Sequence, residues 1–170
     1  MNRHRFHGDP ERFRAVAAYI AGRYGRRVRH VADVAGGQGM LARILRKKYN
    51  YAAEVVDPRG WTLVGVAYRV CAFAPAAADY YDLIVGLHPD QATRAVAEAA
   101  LVRPTVLVPC CNFWSAERLG QEALLRAIED YYDARGVAHE RVPFAFAGPK
   151  NVGLVSEPPV SRQEGQTDER

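Results

Sequence analysis

An α/β fold, doubly wound around a mostly parallel seven-stranded sheet and finished by an antiparallel β-hairpin, is what three features of the sequence predict. Apolar runs alternate with stretches of helical period from residue 10 to residue 136. A glycine-rich turn, "AGGQG", joins the first apolar run to the helix behind it. The last two runs, "HERVPFAF" and "VGLVSEPP", are separated only by "AGPKN", too little chain for a crossover and enough for a hairpin.

The elements follow in order. In "GDPERFRAVAAYIAGRYG" Asp9 is a plausible N-cap, Pro10 suits the first helical position, and Phe13, Val16, Ala17 and Ile20 share one face before Gly25. "RVRHVADVA" reads as the first strand. "QGMLARILRKKYN" reads as a helix with Leu41, Ile44 and Leu45 on one face and cations in its last turns, where the helix dipole favours them. "YAAEVVDPRG" is a second strand stopped at Asp57-Pro58, and "YRVCAFA" a third; about ten residues join them, too few to expect a full helix. "YDLIVGLHPD" is a buried fourth strand, and "DQATRAVAEAALV" an alanine-rich helix. "PTVLVPCCNFW" is a fifth strand, and "SAERLGQEALLRAIEDYYDARG" a long amphipathic helix presenting Leu124, Ile128 and Tyr131. The hairpin supplies strands six and seven. A single domain over residues 1–157 accounts for all of this, with a flexible basic segment at 1–9, a leading helix at 10–25 and a disordered polar tail at 158–170.

The 170 residues, 49% hydrophobic, contain no apolar run long enough to span a bilayer, and "MNRHRFHGDPERF" is not signal-like, so a cytoplasmic protein without membrane contact is expected. Three cysteines, two of them adjacent, make a poor disulfide framework. The net charge of +4 is unevenly spread: residues 1–50 carry 12 Lys and Arg against three acids, and the rest carry 11 against 16. Such an N-terminal patch could steer a polyanion such as RNA or merely form a solvated face.

Residues 37–42, "GQGMLA", satisfy a dinucleotide-type fingerprint, and Asp57 lies 20 residues past Gly37, where a ribose-binding acid belongs. Against NAD stands Asp33, an acid at the end of the first strand, together with the closing hairpin. An acid there suits a ligand that presents a cation, as S-adenosylmethionine does through its amino group. "DVAGGQG", with Asp57 at the next strand end and the hairpin finish, resembles the class I S-adenosylmethionine-dependent methyltransferases over roughly residues 10–157. The resemblance implies S-adenosylmethionine as cofactor, with Asp33, Ala35, Gly36, Gly37, Gln38, Gly39, Asp57, Pro58 and Leu87 around it, and Asp57 accepting hydrogen bonds from the ribose. The adenine pocket is harder to place, with Cys71, Ala72 and Asp79 as loose candidates. The Asn/Asp-Pro-Pro-aromatic sequence of amino-group methyltransferases is replaced by "GLHPDQAT".

His88 and Asp90 after the fourth strand, and Cys110, Cys111, Asn112 and Phe113 after the fifth, should line one rim, the first pair for catalysis and the rest for substrate. His88 is the natural base, since an imidazole titrates near neutrality. Asp90 could orient its ring or cap the next helix. For the cysteine pair three roles are open: packing with pocket lining, a covalent nucleophile as in RNA cytosine-C5 methyltransferases, or a metal. The last is disfavoured because adjacent residues of a strand face opposite ways, so no metal is expected. "GLHPDQAT" with "PCCNFW" is also loosely similar to tRNA 2′-O-methyltransferase-like proteins, which points to RNA modification, with Phe113 and Trp114 as stacking platforms. "HRFHGDPERF", including His7, would form a lid or RNA-contacting arm. A small-molecule substrate and a non-catalytic binding module are the alternatives, and the oligomeric state is left open.

Overall fold

The computed structural model describes residues 8–61, 63–111 and 113–160; the N-terminal arm with His7, Asn112 and most of the polar tail fall outside the described residues. Seven strands form one sheet in the order β3-β2-β1-β4-β5-β7-β6. They are β1 (His30–Val34), β2 (Ala52–Val56), β3 (Ala67–Arg69), β4 (Leu83–Leu87), β5 (Thr105–Val108), β6 (Ala138–Pro143) and β7 (Val152–Glu157). The first five are parallel, β7 runs antiparallel to β5, and β6 pairs antiparallel with β7. The doubly wound sheet with its terminal hairpin is therefore as the sequence predicts. Strand order reverses between β1 and β4, which makes the carboxyl ends of these two strands the place where a ligand crevice opens.

Helices cover both faces. On one, α1 (Glu11–Tyr24) and α2 (Met40–Tyr49) bury Val16, Ile20, Leu41 and Leu45 against Val31, Val55 and Val85. On the other, α3 (Thr93–Ala99) and α4 (Gln121–Asp133) bury Val96, Leu124, Ile128 and Tyr132 against Ala32, Ile84, Leu107 and Leu154. Successive residues of β1 thus serve opposite cores, as the two-residue period of a strand requires.

Three elements differ from expectation. β3 holds only Ala67–Arg69 where residues 68–74 read as a strand, because the chain leaves the sheet so that Phe73 can enter the α3/α4 core. No helix joins β2 to β3 among the described residues, in line with the short connection. The long helix begins at Gln121 rather than near residue 115: Gly120 is extended (φ −71°, ψ 169°), and Trp114 is held back against Tyr131, ring centroids 5.5 Å apart, under the Arg94 guanidinium. Finally, α3 is preceded by a 3₁₀ turn at Asp90–Ala92.

Gly153 in β7 is closely packed where the hairpin docks on β5. A Cβ there would stand 2.9 Å from the Leu107 carbonyl oxygen and equally close to Phe144 and Val108. Gly153→Ala should therefore destabilise the fold by about 2 kcal/mol through overpacking, read as a lower denaturant midpoint with an unchanged slope.

Candidate active site

The site is built from the carboxyl ends of β1, β2, β4 and β5. Asp33 is the fourth residue of β1 and is fully buried, its Oδ2 accepting the Ala42 amide of α2 at 3.1 Å. Burial pushes its carboxyl up to about 7, the Ala42 hydrogen bond works the other way, and the neighbouring Asp57 adds to the rise. After β1 the backbone turns through Ala35 (φ 53°) and Gly37 (φ 58°) to Gly39 (φ 82°), which leads into α2. Only glycine fits at two places. A Cβ at Gly36 would lie 2.5 Å from the Asp33 carboxylate, and at Gly39 the left-handed φ combines with contacts of 2.8 and 2.9 Å to Val55 and Val66. The turn therefore leaves its backbone beside the Asp33 carboxylate.

Asp57, just past β2, is also fully buried, and here the structure departs from expectation. Both of its oxygens are already engaged. Oδ1 accepts the Arg59 amide at 2.8 Å and Arg59 Nε at 3.0 Å; Oδ2 accepts Arg59 Nη2 at 2.6 Å and the Gly37 amide at 3.0 Å. Arg59 also donates to the Ala35 carbonyl at 3.3 Å. Burial would raise the Asp57 carboxyl, but the hydrogen bonds from Arg59 and Gly37 outweigh it and hold it below the ordinary carboxylate range. Asp57 thus joins the two loops directly through Gly37 and through Arg59 to Ala35. In the sequence "DPRG" reads only as a strand stop, with no local signal for Arg59.

Two clefts of about 610 and 640 Å³ meet along Ala35, Arg59, Asp90 and Cys111. Asp33, Gly36, Gly37, Gln38, Leu87, His88 and Cys110 line the first. Asp57, Pro58, Ala72, Phe73 and Phe113 line the second. Gln38 Oε1 is buried without a hydrogen-bond partner. Neither Cys71 nor Asp79 lines either cleft, and Asp79 instead pairs with Arg103. Gly8, Asp9, Arg12 and Phe13 form one wall of the first cleft and Phe146–Lys150 another. Asp9 ties the two walls together, accepting the Glu11 amide at 2.9 Å and the Ala147 amide at 2.7 Å.

The loop after β4 is strained: His88 (φ 56°) and Asp90 (φ 48°) are both left-handed, on either side of Pro89. The His88 amide is fixed by the Val108 carbonyl at 2.9 Å, and its ring Nε2 lies 3.0 Å from the Lys150 carbonyl oxygen. A carbonyl can only accept, so Nε2 carries the hydrogen and Nδ1 the free lone pair. Burial lowers the imidazole's basicity, partly offset by the Lys150 hydrogen bond. Asp90 corrects the capping expectation. Thr93 Oγ1 bonds to its carbonyl oxygen, while its carboxylate turns away from the helix to meet Cys110 Sγ at 3.1 Å.

The cysteines do not face opposite ways, because β5 ends at Val108 and the strand alternation lapses before residue 110. Their sulfurs lie 3.5 Å apart, and both border the first cleft. Burial and the adjoining Asp90 carboxylate push the Cys110 thiol well up. Phe113 remains 45% exposed beside the second cleft, whereas the Trp114 ring is taken up by Tyr131 and Arg94.

Comparison with known proteins gives likeness of fold. Three solved structures of this architecture are similar over nearly the whole chain. A sugar N-methyltransferase from Streptoalloteichus is 14% identical, with a TM-score of 0.57, covering 94% of this chain and 96% of its own. A protein of Methanococcus maripaludis, provisionally assigned as an S-adenosyl-L-methionine-dependent methyltransferase, is 12% identical, with a TM-score of 0.57 and coverage of 96% and 99%. The methyltransferase domain of bacterial CtHen1 is 10% identical, with a TM-score of 0.55 and coverage of 86% and 97%. No protein-family model matches the sequence, and no curated protein matches it either. The fold is therefore that of the class I methyltransferases.

The burial of Asp33 makes stability depend on pH. Its folded pKa of about 7 lies above its ordinary 3.8, so the folded chain holds a proton that the unfolded chain has lost. That contribution is fully present below pH ~4 and lost as pH rises through ~7. Asp33→Asn keeps an acceptor for Ala42 and removes the titration. The variant should gain on the wild type across this window, by at most about 4 kcal/mol at pH 8, in denaturant melts compared pH by pH.

Proposed function

We propose that the protein is an S-adenosylmethionine-dependent methyltransferase acting on RNA, with the cofactor lying across the two joined clefts. The observation that carries this reading is the buried Asp33 carboxylate under the Gly36 backbone, a negative site without a cationic partner among the described residues. The cofactor's ammonium would supply that cation. Gln38 offers an unused acceptor, the Gly37–Gly39 turn lets a ligand approach the main chain, and Ala72, Phe73 and Pro89 give the second cleft apolar walls for the adenine. For the ribose to reach Asp57, the Arg59 guanidinium must withdraw, and at 47% exposure it has room to do so.

When bound, the cofactor supplies a methyl group already activated on a sulfonium. The chain has then to orient an acceptor and take up its proton. His88 would carry out the second task through Nδ1, and the hold of the Lys150 carbonyl on its other nitrogen supports this reading. Arg12, Arg59 and Lys150 around the first cleft, with Trp61 62% exposed at its edge, supply cations for phosphates and a stacking surface for a base. The tie between Asp9 and Ala147 favours a second reading, a small-molecule acceptor, because it draws the walls of the first cleft together.

S-Adenosylmethionine should raise the melting temperature of the wild type and leave that of Asp33→Asn unmoved. Arg59→Ala strips Asp57 of its ion pair. The ligand-free variant should melt lower, and the cofactor should shift it further than the wild type; an unchanged shift would mean that Arg59 does not stand in the ribose's way. His88→Ala should keep the cofactor shift and lose about 100-fold or more in turnover. Affinity for RNA should fall steeply between low and moderate salt, and absence of RNA binding even at low salt would favour the small acceptor.

A further inference from the structure

Asp90, Cys110 and Cys111 come from the loops after two adjacent strands, β4 and β5, and their ligating atoms all lie within 4.8 Å of one another. Cys110 Sγ is 3.1 Å from Asp90 Oδ1 and 3.5 Å from Cys111 Sγ. A tetrahedral zinc ion, with bonds of about 2.3 Å to sulfur and 2.1 Å to oxygen, needs S–S edges of roughly 3.8 Å and S–O edges of roughly 3.6 Å. The S–S separation falls roughly 0.3 Å and the Cys110–Asp90 separation roughly 0.5 Å short of those edges. Two sulfurs and one carboxylate are the donor set of a borderline-soft divalent ion rather than of magnesium or calcium. The left-handed Asp90 directs its carboxylate to the thiols instead of to the amides of α3, so the third donor is held in place by the backbone.

We propose that Asp90, Cys110 and Cys111 form a site for a thiophilic divalent cation, zinc by its donors, with the fourth coordination position open to the cleft. Three protein donors and one exchangeable position are the pattern of zinc sites that bind a reacting molecule, as distinct from closed four-ligand structural sites. Binding releases the thiol protons to solvent, leaving a two-thiolate, one-carboxylate set of net charge −3 that the cation offsets to −1. All three donors line the same cleft, so a hydroxyl, thiol or water from the cleft that reached the ion would be made more acidic. The site is independent of the cofactor reading, and its test needs no cofactor.

The full-length protein, reduced and stripped with a chelator, is titrated with zinc against a chromophoric competitor, and with cobalt as a spectroscopic substitute. One zinc per chain with sub-micromolar affinity is expected, along with a sulfur-to-cobalt charge-transfer band and tetrahedral visible bands. Cys111→Ser, at an exposed position, and Cys110→Ser should each weaken zinc by about 100-fold, and Asp90→Asn by about tenfold, while Cys71→Ser, an exposed cysteine outside the cluster, should bind as the wild type does. Circular dichroism of each variant separates loss of the site from loss of the fold. The proposal is overturned if the reduced wild type binds zinc no tighter than about 10 μM, or if Asp90→Asn or the double cysteine variant binds undiminished. It is overturned equally if the only change at the pair is a two-hydrogen mass loss on oxidation, which would make it a redox pair instead.

Discussion

The burial of one carboxylate governs the rest of the site. Asp33 sits near the carboxyl end of β1, where the strand order reverses, with the Ala42 amide as its hydrogen-bond donor. Removing such a group from water costs several kcal/mol unless it is paired or protonated. The fold bears that cost on one side with a close-packed double core and on the other with a glycine turn that lies against the carboxylate. Gly36 is there because any side chain would strike Asp33, and the left-handed Gly37 and Gly39 are there because the chain must then return into α2. The turn, the start of the helix and the acid form one unit, held together by the Ala42 hydrogen bond and by the close fit of Gly36.

Much of this was legible in the sequence. Alternating apolar runs and helical periods are strong signals for buried parallel strands and their covering helices, and β1, β2, β4, β5 and the hairpin stand where those signals put them. Asp33 and the glycines were legible because an acid followed by three glycines has few uses at a strand end. What escaped were features decided by side-chain competition at a distance. β3 is cut short because Phe73 gains more by entering a core than by extending an edge strand, and nothing local in "YRVCAFA" says so.

The same holds at the rim. Arg59 claims Asp57 through a two-residue local contact that spacing to the glycines could not reveal. The cysteine pair departs from strand alternation because it lies beyond the last ladder pair, at Val108. A period-two argument is valid only where neighbours hold the backbone, and Pro109, which has no amide hydrogen to donate, stands between that pair and the sulfurs.

The tie from Asp9 to Ala147 spans 138 positions along the chain. The grip around Asp33 needs only segments that are near one another in sequence, but the mouth of the cleft does not exist until the β6–β7 turn has docked onto the loop before α1. During synthesis the two parts of the cleft therefore close at different times: the turn around Asp33 can form early, and the outer walls wait for the long-range closure that joins the two ends of the chain.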